Sequence, residues 1–191
     1  MIQTGSLAPS RRVLDVDGSW VEISRLWQQQ PVLLFFLRHS GCAVCRAHLL
    51  EIRDNYTMLQ QAGGKVAVVT FGDPQLAAQI KERWRLPFEI VADPSLQIYR
   101  EFGLTEGTLA HVFSPDVLMR QLSQALRGNV PYIDPRQGHV TQLGGVAIVD
   151  RNGVIRFSYT AVPIYRYPPI STYVTWLTEA ANGFPTHFPQ Q

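Results

Sequence analysis

Cysteine is nearly absent from this chain of 191 residues: there are two, Cys42 and Cys45. A scaffold stapled by several disulfides is therefore excluded. Charge is also scarce, at 17% of residues, with a formal net charge of +2. No block of Lys or Arg forms an electrostatic footprint, so neither nucleic acid nor an acidic surface is expected as a partner. The longest apolar run, residues 31–37, is far too short to cross a bilayer, so no membrane span is expected. The first residues, Met1-Ile2-Gln3-Thr4-Gly5, show no basic stretch followed by an apolar one, as a leader would require. The expected compartment is the cytoplasm, where structural disulfides are rare. No internal repeat or low-complexity segment is present.

What the chain does have is a soluble composition, 46% hydrophobic, long enough to bury a core. Residues 13–18 read as a short strand entering an Asp-Gly turn, and residues 20–26 continue it towards a helical turn. Residues 31–37 are apolar throughout, the pattern of a central strand covered on both faces. His39-Ser40-Gly41 breaks that run. From Ala43 the period becomes helical, with Leu49, Ile52, Tyr56 and Leu59 on one face, until Gly63-Gly64. Residues 65–71 form a second buried strand. Asp73-Pro74 opens a helix with Leu76, Ile80 and Trp84 on its inner face, stopped by Pro87. Residues 88–92 form a third strand, and Asp93-Pro94-Ser95 opens a short helix reaching Phe102.

Residues 103–142 interrupt this alternation and read as an insertion within a single domain spanning 1–191. Within it, Ser114-Pro115-Asp116 starts a helix with Leu118, Leu122 and Leu126 on one face, ending at Gly128. Residues 145–149 and 154–158 flank Asn152-Gly153, a hairpin signal. A Pro-rich loop over 163–169 precedes a last amphipathic helix made by Ile170, Val174, Leu177 and Ala181, closed by Gly183. Parallel-type strands with crossover helices, then a hairpin and a helix, predict an α/β fold of thioredoxin-like layout: a central mixed sheet flanked by helices, with a helical insertion before the hairpin.

The cysteines fall where the first central strand passes into its helix. A helix N-terminus carries unpaired N–H groups and about half a positive charge, which stabilise a thiolate. The thiol of such a CxxC falls from about 8.5 towards 7 or below. Cys45 lies one turn further in, within reach of Cys42 for a disulfide. Arg38 and Arg46 add positive charge near the pair, and His39 is a candidate proton shuttle. This predicts a thiol–disulfide redox centre using Cys42 and Cys45, with no cofactor. A second reading is also open: His39, Cys42, Cys45 and His48 recur every third residue, a cluster that could bind metal or sense redox state without turnover. His111, His139 and His187 read as surface or loop residues, and Trp20, Trp27, Trp84 and Trp176 as core.

The segments Val32 to Arg46, Pro87-Phe88 with Asp93-Pro94, and Gln142 to Asp150 with Gly153 resemble the peroxiredoxin (thiol-specific antioxidant, alkyl hydroperoxide reductase) superfamily. The closer resemblance is to its CxxC-containing branch. It implies a thioredoxin fold, Cys42 and Cys45 as the redox pair, protein disulfides or, less efficiently, peroxides as substrate, and a thioredoxin- or glutathione-type thiol reductant. A homodimer is compatible with it. The chain departs from the usual pattern at several places. His39 and Phe35 stand where Thr or Ser and Pro are usual, and Leu143-Gly144-Gly145 stands where an activating Arg, or the cis-Pro of thioredoxins, would be. Gly144 and Gly145 leave the backbone approachable, which marks them as substrate-facing candidates.

Overall fold

The computed structural model describes residues 2–182. Seven strands make one mixed sheet in the order β2-β1-β5-β4-β3-β6-β7. They are β1 (Arg12–Leu14), β2 (Trp20–Glu22), β3 (Val32–Phe36), β4 (Lys65–Thr70), β5 (Glu89–Ala92), β6 (Gly145–Val149) and β7 (Ile155–Thr160). Among the described residues the helices are α1 (Ala43–Asp54), α2 (Tyr56–Gln61), α3 (Pro74–Arg83), α4 (Gln97–Glu101), α5 (Leu109–Phe113), α6 (Pro115–Leu126) and α7 (Ile170–Asn182). A 3-10 turn spans Ile23–Leu26.

β3 is wholly buried, parallel to β4 and antiparallel to β6. Successive side chains on a strand point to opposite faces. Leu33 and Phe35 therefore enter the core beneath α1, α3 and α7, while Val32, Leu34 and Phe36 enter a second core with Leu26, Tyr99 and Phe102. β4 and β6 divide their residues in the same way, so one sheet is sealed on both sides. Such two-sided burial is why the sequence of β3 shows an unbroken apolar run. The parallel strands and the late hairpin match the expected thioredoxin-like layout.

The caps follow the sequence. Asp73 Oδ1 accepts from Leu76 N at 2.6 Å and Pro74 occupies the first turn of α3, while Ser114 Oγ accepts from Val117 N at 3.4 Å at the start of α6.

The structure refines several expectations. The helix expected over 43–63 breaks at Asn55, whose side-chain amide donates to Glu51 O at 2.9 Å and competes with the helical ladder. Leu118, Leu122 and Leu126 do share a face of α6, but each is more than half exposed; Val117 is the side chain that anchors this helix. α7 buries Ile170, Tyr173, Leu177 and Ala180, with Val174 partly buried against the same core and Ala181 exposed, and the Tyr173 hydroxyl is bonded to buried His48. Trp27 and Trp84 are core, whereas Trp20 is exposed beneath the Arg12 guanidinium and Trp176 stacks on Phe157. His111 lies in α5, where its Nδ1 accepts from Thr108 N at 3.2 Å. Gly183 and His187 lie outside the described residues.

Candidate active site

The chain leaves the buried end of β3, turns through residues 37–41, and enters α1 with Cys42 as its N-cap. Extended backbone at Cys42 (φ −73°, ψ 104°) turns its side chain back over the first helical turn, where Sγ accepts from Cys45 N at 3.4 Å. Cys45 is a turn deeper, and a disulfide joins the two across a Cα separation of 5.4 Å. Cys45 is fully buried and its sulfur lies 3.9 Å from Ile164 O; Cys42 is 3% exposed. Cys42 is therefore the sulfur nearer to solvent. It borders an open cavity of about 340 Å³ lined mostly by apolar side chains, among them Val112, Phe113, Leu118 and Ile133, together with Arg38 and His39.

Residues 103–142 form much of this cavity. Tyr132 N donates to Gly41 O at 3.1 Å, and a Cβ at Gly41 would collide with the Tyr132 carbonyl. Only glycine lets the two backbones pass so closely. Asn129 Nδ2 donates to Ala43 O at 2.7 Å. Gln137, buried, accepts from Ser40 N at 2.7 Å and donates to Phe71 O at 2.7 Å. Gln121 of α6 accepts from Ala43 N at 3.1 Å and places its Nε2 3.9 Å from Cys42 Sγ.

The residues expected around the cysteines separate into different tasks. Arg38 lines the cavity with Cys42. Its Nη2 donates to Val140 O at 2.8 Å, its buried Nε has no acceptor, and no carboxylate is paired with it among the described residues. Burial lowers its pKa to about 10, which still leaves it charged at neutral pH. Arg46 instead grips the segment 103–142: it donates to Val130 O at 2.7 Å, to Ser40 O at 3.3 Å and to Asn129 Oδ1, with its guanidinium over the rings of Trp84 and Tyr132.

His39 has both ring nitrogens occupied. Nδ1 accepts from Gly41 N at 3.0 Å, so Nε2 carries the proton and donates it to Gln137 O at 3.1 Å. Burial, and then the Arg38 charge, lower its pKa, so the ring is neutral and its nitrogens hold the loop rather than facing Cys42. Gly145 is buried inside the sheet, and Gly144 is buried just before it. Gly145 lies between Phe36 and Thr160, and the Gly144 carbonyl accepts from Ala161 N at 3.0 Å. A Cβ on Gly144 would sit 2.6 Å from Phe36 O. Their backbones are thus spent on strand pairing, and neither lines the cavity. The cis peptide is Val162–Pro163, after β7.

The residues that could have formed a metal cluster are also engaged elsewhere. His48 lies between Glu51 Oε2 and the Tyr173 hydroxyl, each at 2.9 Å, and stacks on Tyr167. Among the described residues, no group of three or more His, Cys, Asp or Glu is placed to hold a metal ion. Gln121, Asn129, Tyr132 and Gln137 were not expected at the site. Amides carry no chemical signature in a sequence, and their partners lie 78 to 97 residues away.

A CxxC disulfide at the N-terminus of the helix that follows the central strand, in this sheet order, defines a thiol-dependent redox protein of thioredoxin-like fold. Residues 4–158 match the AhpC/TSA family, and the chain belongs to it. It is 30% identical over 146 residues to a prostamide/prostaglandin F synthase of Salmo salar, covering 72% of this chain and 69% of that one. It is 26% identical over 103 residues to the chloroplast peroxiredoxin Q of Oryza sativa subsp. japonica, covering 54% of this chain but only 47% of that protein. Among solved structures, it resembles a peroxiredoxin-like protein from Aquifex aeolicus with a TM-score of 0.65 at 15% identity, over 94% of this chain and 88% of that one. Peroxidoxin BcpB from Mycobacterium tuberculosis superposes with a TM-score of 0.64 at 14% identity, over 93% and 97%. Among the described residues, no helix is long and apolar enough to cross a membrane.

Proposed function

We propose that the protein is a dithiol reductase in which Cys42 is the attacking thiol and Cys45 the resolving one. The observation that carries this reading is the placement of Cys42: N-cap of α1, joined to Cys45 and bordering a cavity. In the reduced form, the Cys42 thiolate is favoured by the α1 N-terminus and by the unpaired charge of Arg38. With a peroxide, the thiolate attacks one oxygen and forms a sulfenic acid while the other oxygen, protonated, leaves as an alcohol. The Cys45 thiol then condenses with the sulfenic acid, releases water and gives the disulfide. With a disulfide substrate, the same attack gives a mixed disulfide that Cys45 resolves. A thioredoxin- or glutathione-type thiol restores the pair.

The lining of the cavity favours an organic peroxide over hydrogen peroxide, since apolar walls reward an apolar substrate and not a small polar one. The prostaglandin F synthase relative is consistent with an organic substrate. The test is consumption of cumene hydroperoxide, hydrogen peroxide and insulin disulfides in parallel with a thioredoxin system. The expected result is turnover of the organic peroxide that exceeds the other two and is abolished by Cys42→Ser. Equal turnover by Cys42→Ser would sink the reading.

A further inference from the structure

Cys42 caps the start of α1. Its environment lacks the hydroxyl that the family usually places three residues earlier, because His39 stands there with both nitrogens committed. The first N–H of α1, that of Ala43, is also taken: it donates to Gln121 Oε1. What remains within reach of the sulfur is Cys45 N at 3.4 Å and Gln121 Nε2 at 3.9 Å.

The orientation of the Gln121 amide follows from chemistry. A backbone N–H can only donate, so the oxygen of the amide must face Ala43 and the NH₂ must face Cys42. A disulfide sulfur is a weak acceptor, and 3.9 Å is a loose contact. A thiolate is a charged acceptor, towards which such a donor tightens and becomes roughly twice as strong. Gln121 is half-buried on α6, which Val117 anchors independently.

From this we infer that Gln121 is a positioning residue of the reaction: it holds the start of α1 through Ala43 and stabilises the reduced form through a hydrogen bond to the Cys42 thiolate. The inference rests on the proposed role of the cysteine pair, and it makes the insertion part of the active site. It also makes the Cys42 thiol more acidic and the disulfide easier to reduce than the helix end alone would.

Two substitutions separate the roles. Gln121→Glu keeps an oxygen for Ala43 N but replaces the donor to sulfur with a negative charge; Gln121→Met removes both contacts and adds no charge. Gln124→Met, one turn along the same helix, disturbs the contact with Asn129 without touching the sulfur. The readouts are the Cys42 pKa, from the pH dependence of alkylation of reduced protein, and the midpoint of the Cys42–Cys45 couple in glutathione buffers. Gln121→Glu is expected to raise the pKa by about one pH unit. The equilibrium should shift about tenfold towards the disulfide, or about 30 mV more negative. Gln121→Met should shift both in the same direction and less, and Gln124→Met should leave both at the parent values. Parent values in Gln121→Met, or equal shifts in Gln124→Met, overturn the inference while leaving the cysteine pair intact as the redox centre. A parent protein whose cysteines do not cycle in glutathione overturns both.

Discussion

His39 shows how much a single side chain can commit to structure. Its neutral ring is written into the loop by two hydrogen bonds, and His48 is similarly enclosed between Glu51 and Tyr173. Both have pKa values below the ordinary 6.5, first because burial penalises the charged ring. Unfolded, each imidazole takes up a proton near 6.5; folded, each waits for a lower pH. The unfolded state therefore binds more protons in that window. The stability these residues contribute is complete above about 6.5 and is lost as the pH falls through the folded values. Urea midpoints are expected to fall between pH 7.5 and 5.5 in the parent and to fall less in His39→Asn, whose side-chain oxygen can still accept from Gly41 N. An unchanged slope in the variant would refute this assignment. The cysteines separate in the same residue-by-residue way. Cys42→Ser should lose all turnover. Cys45→Ser should still consume one equivalent of substrate and then stall, as rapid-mixing kinetics would show. The two cysteines were legible in the sequence because thiols at this spacing carry their chemistry with them. Gln121 was not, since an amide becomes part of a redox site only through a contact that the fold creates.

Elements were legible where burial is symmetrical or caps are strong. β3 and β4 show themselves by continuous apolar runs, and α3 by Asp73-Pro74. The break at Asn55 was hidden, because Leu59 stays buried on the expected face whether or not the helix is continuous. The exposure of Leu118, Leu122 and Leu126 was hidden for another reason: periodicity reports that a helix is amphipathic, not which side the protein covers. Val117→Ala should accordingly cost about 2 kcal/mol, whereas Leu122→Ser should change stability by less than about 0.5 kcal/mol. Denaturant titration compares them directly, and equal losses would contradict the packing described. Gly144 tests the junction of β6 with β3. Its missing Cβ lets Phe36 O and the backbone of Arg38 approach, so Gly144→Ala should destabilise by about 1–3 kcal/mol. Near-parental stability would show that the strands can part without cost.

For the whole molecule, one seven-stranded sheet shared by two cores argues that the chain unfolds as a unit. Far-ultraviolet dichroism and tryptophan fluorescence should follow a single transition, and a separate early loss of either would mark a second cooperative unit. Within that unit, residues 103–142 are joined to the cysteine loop by amides, carbonyls and the guanidiniums of Arg38 and Arg46. None of these ties pairs an acid with a base. Added salt shortens the Debye length from about 10 Å at 0.1 M to about 3 Å at 1 M and weakens exposed ion pairs; within residues 103–142 these are His139–Glu106 and Arg136–Asp134, which do not reach the cysteine loop. The ties between this cover and the cysteine loop should therefore outlast a rise in ionic strength that loosens the cover's own ion pairs.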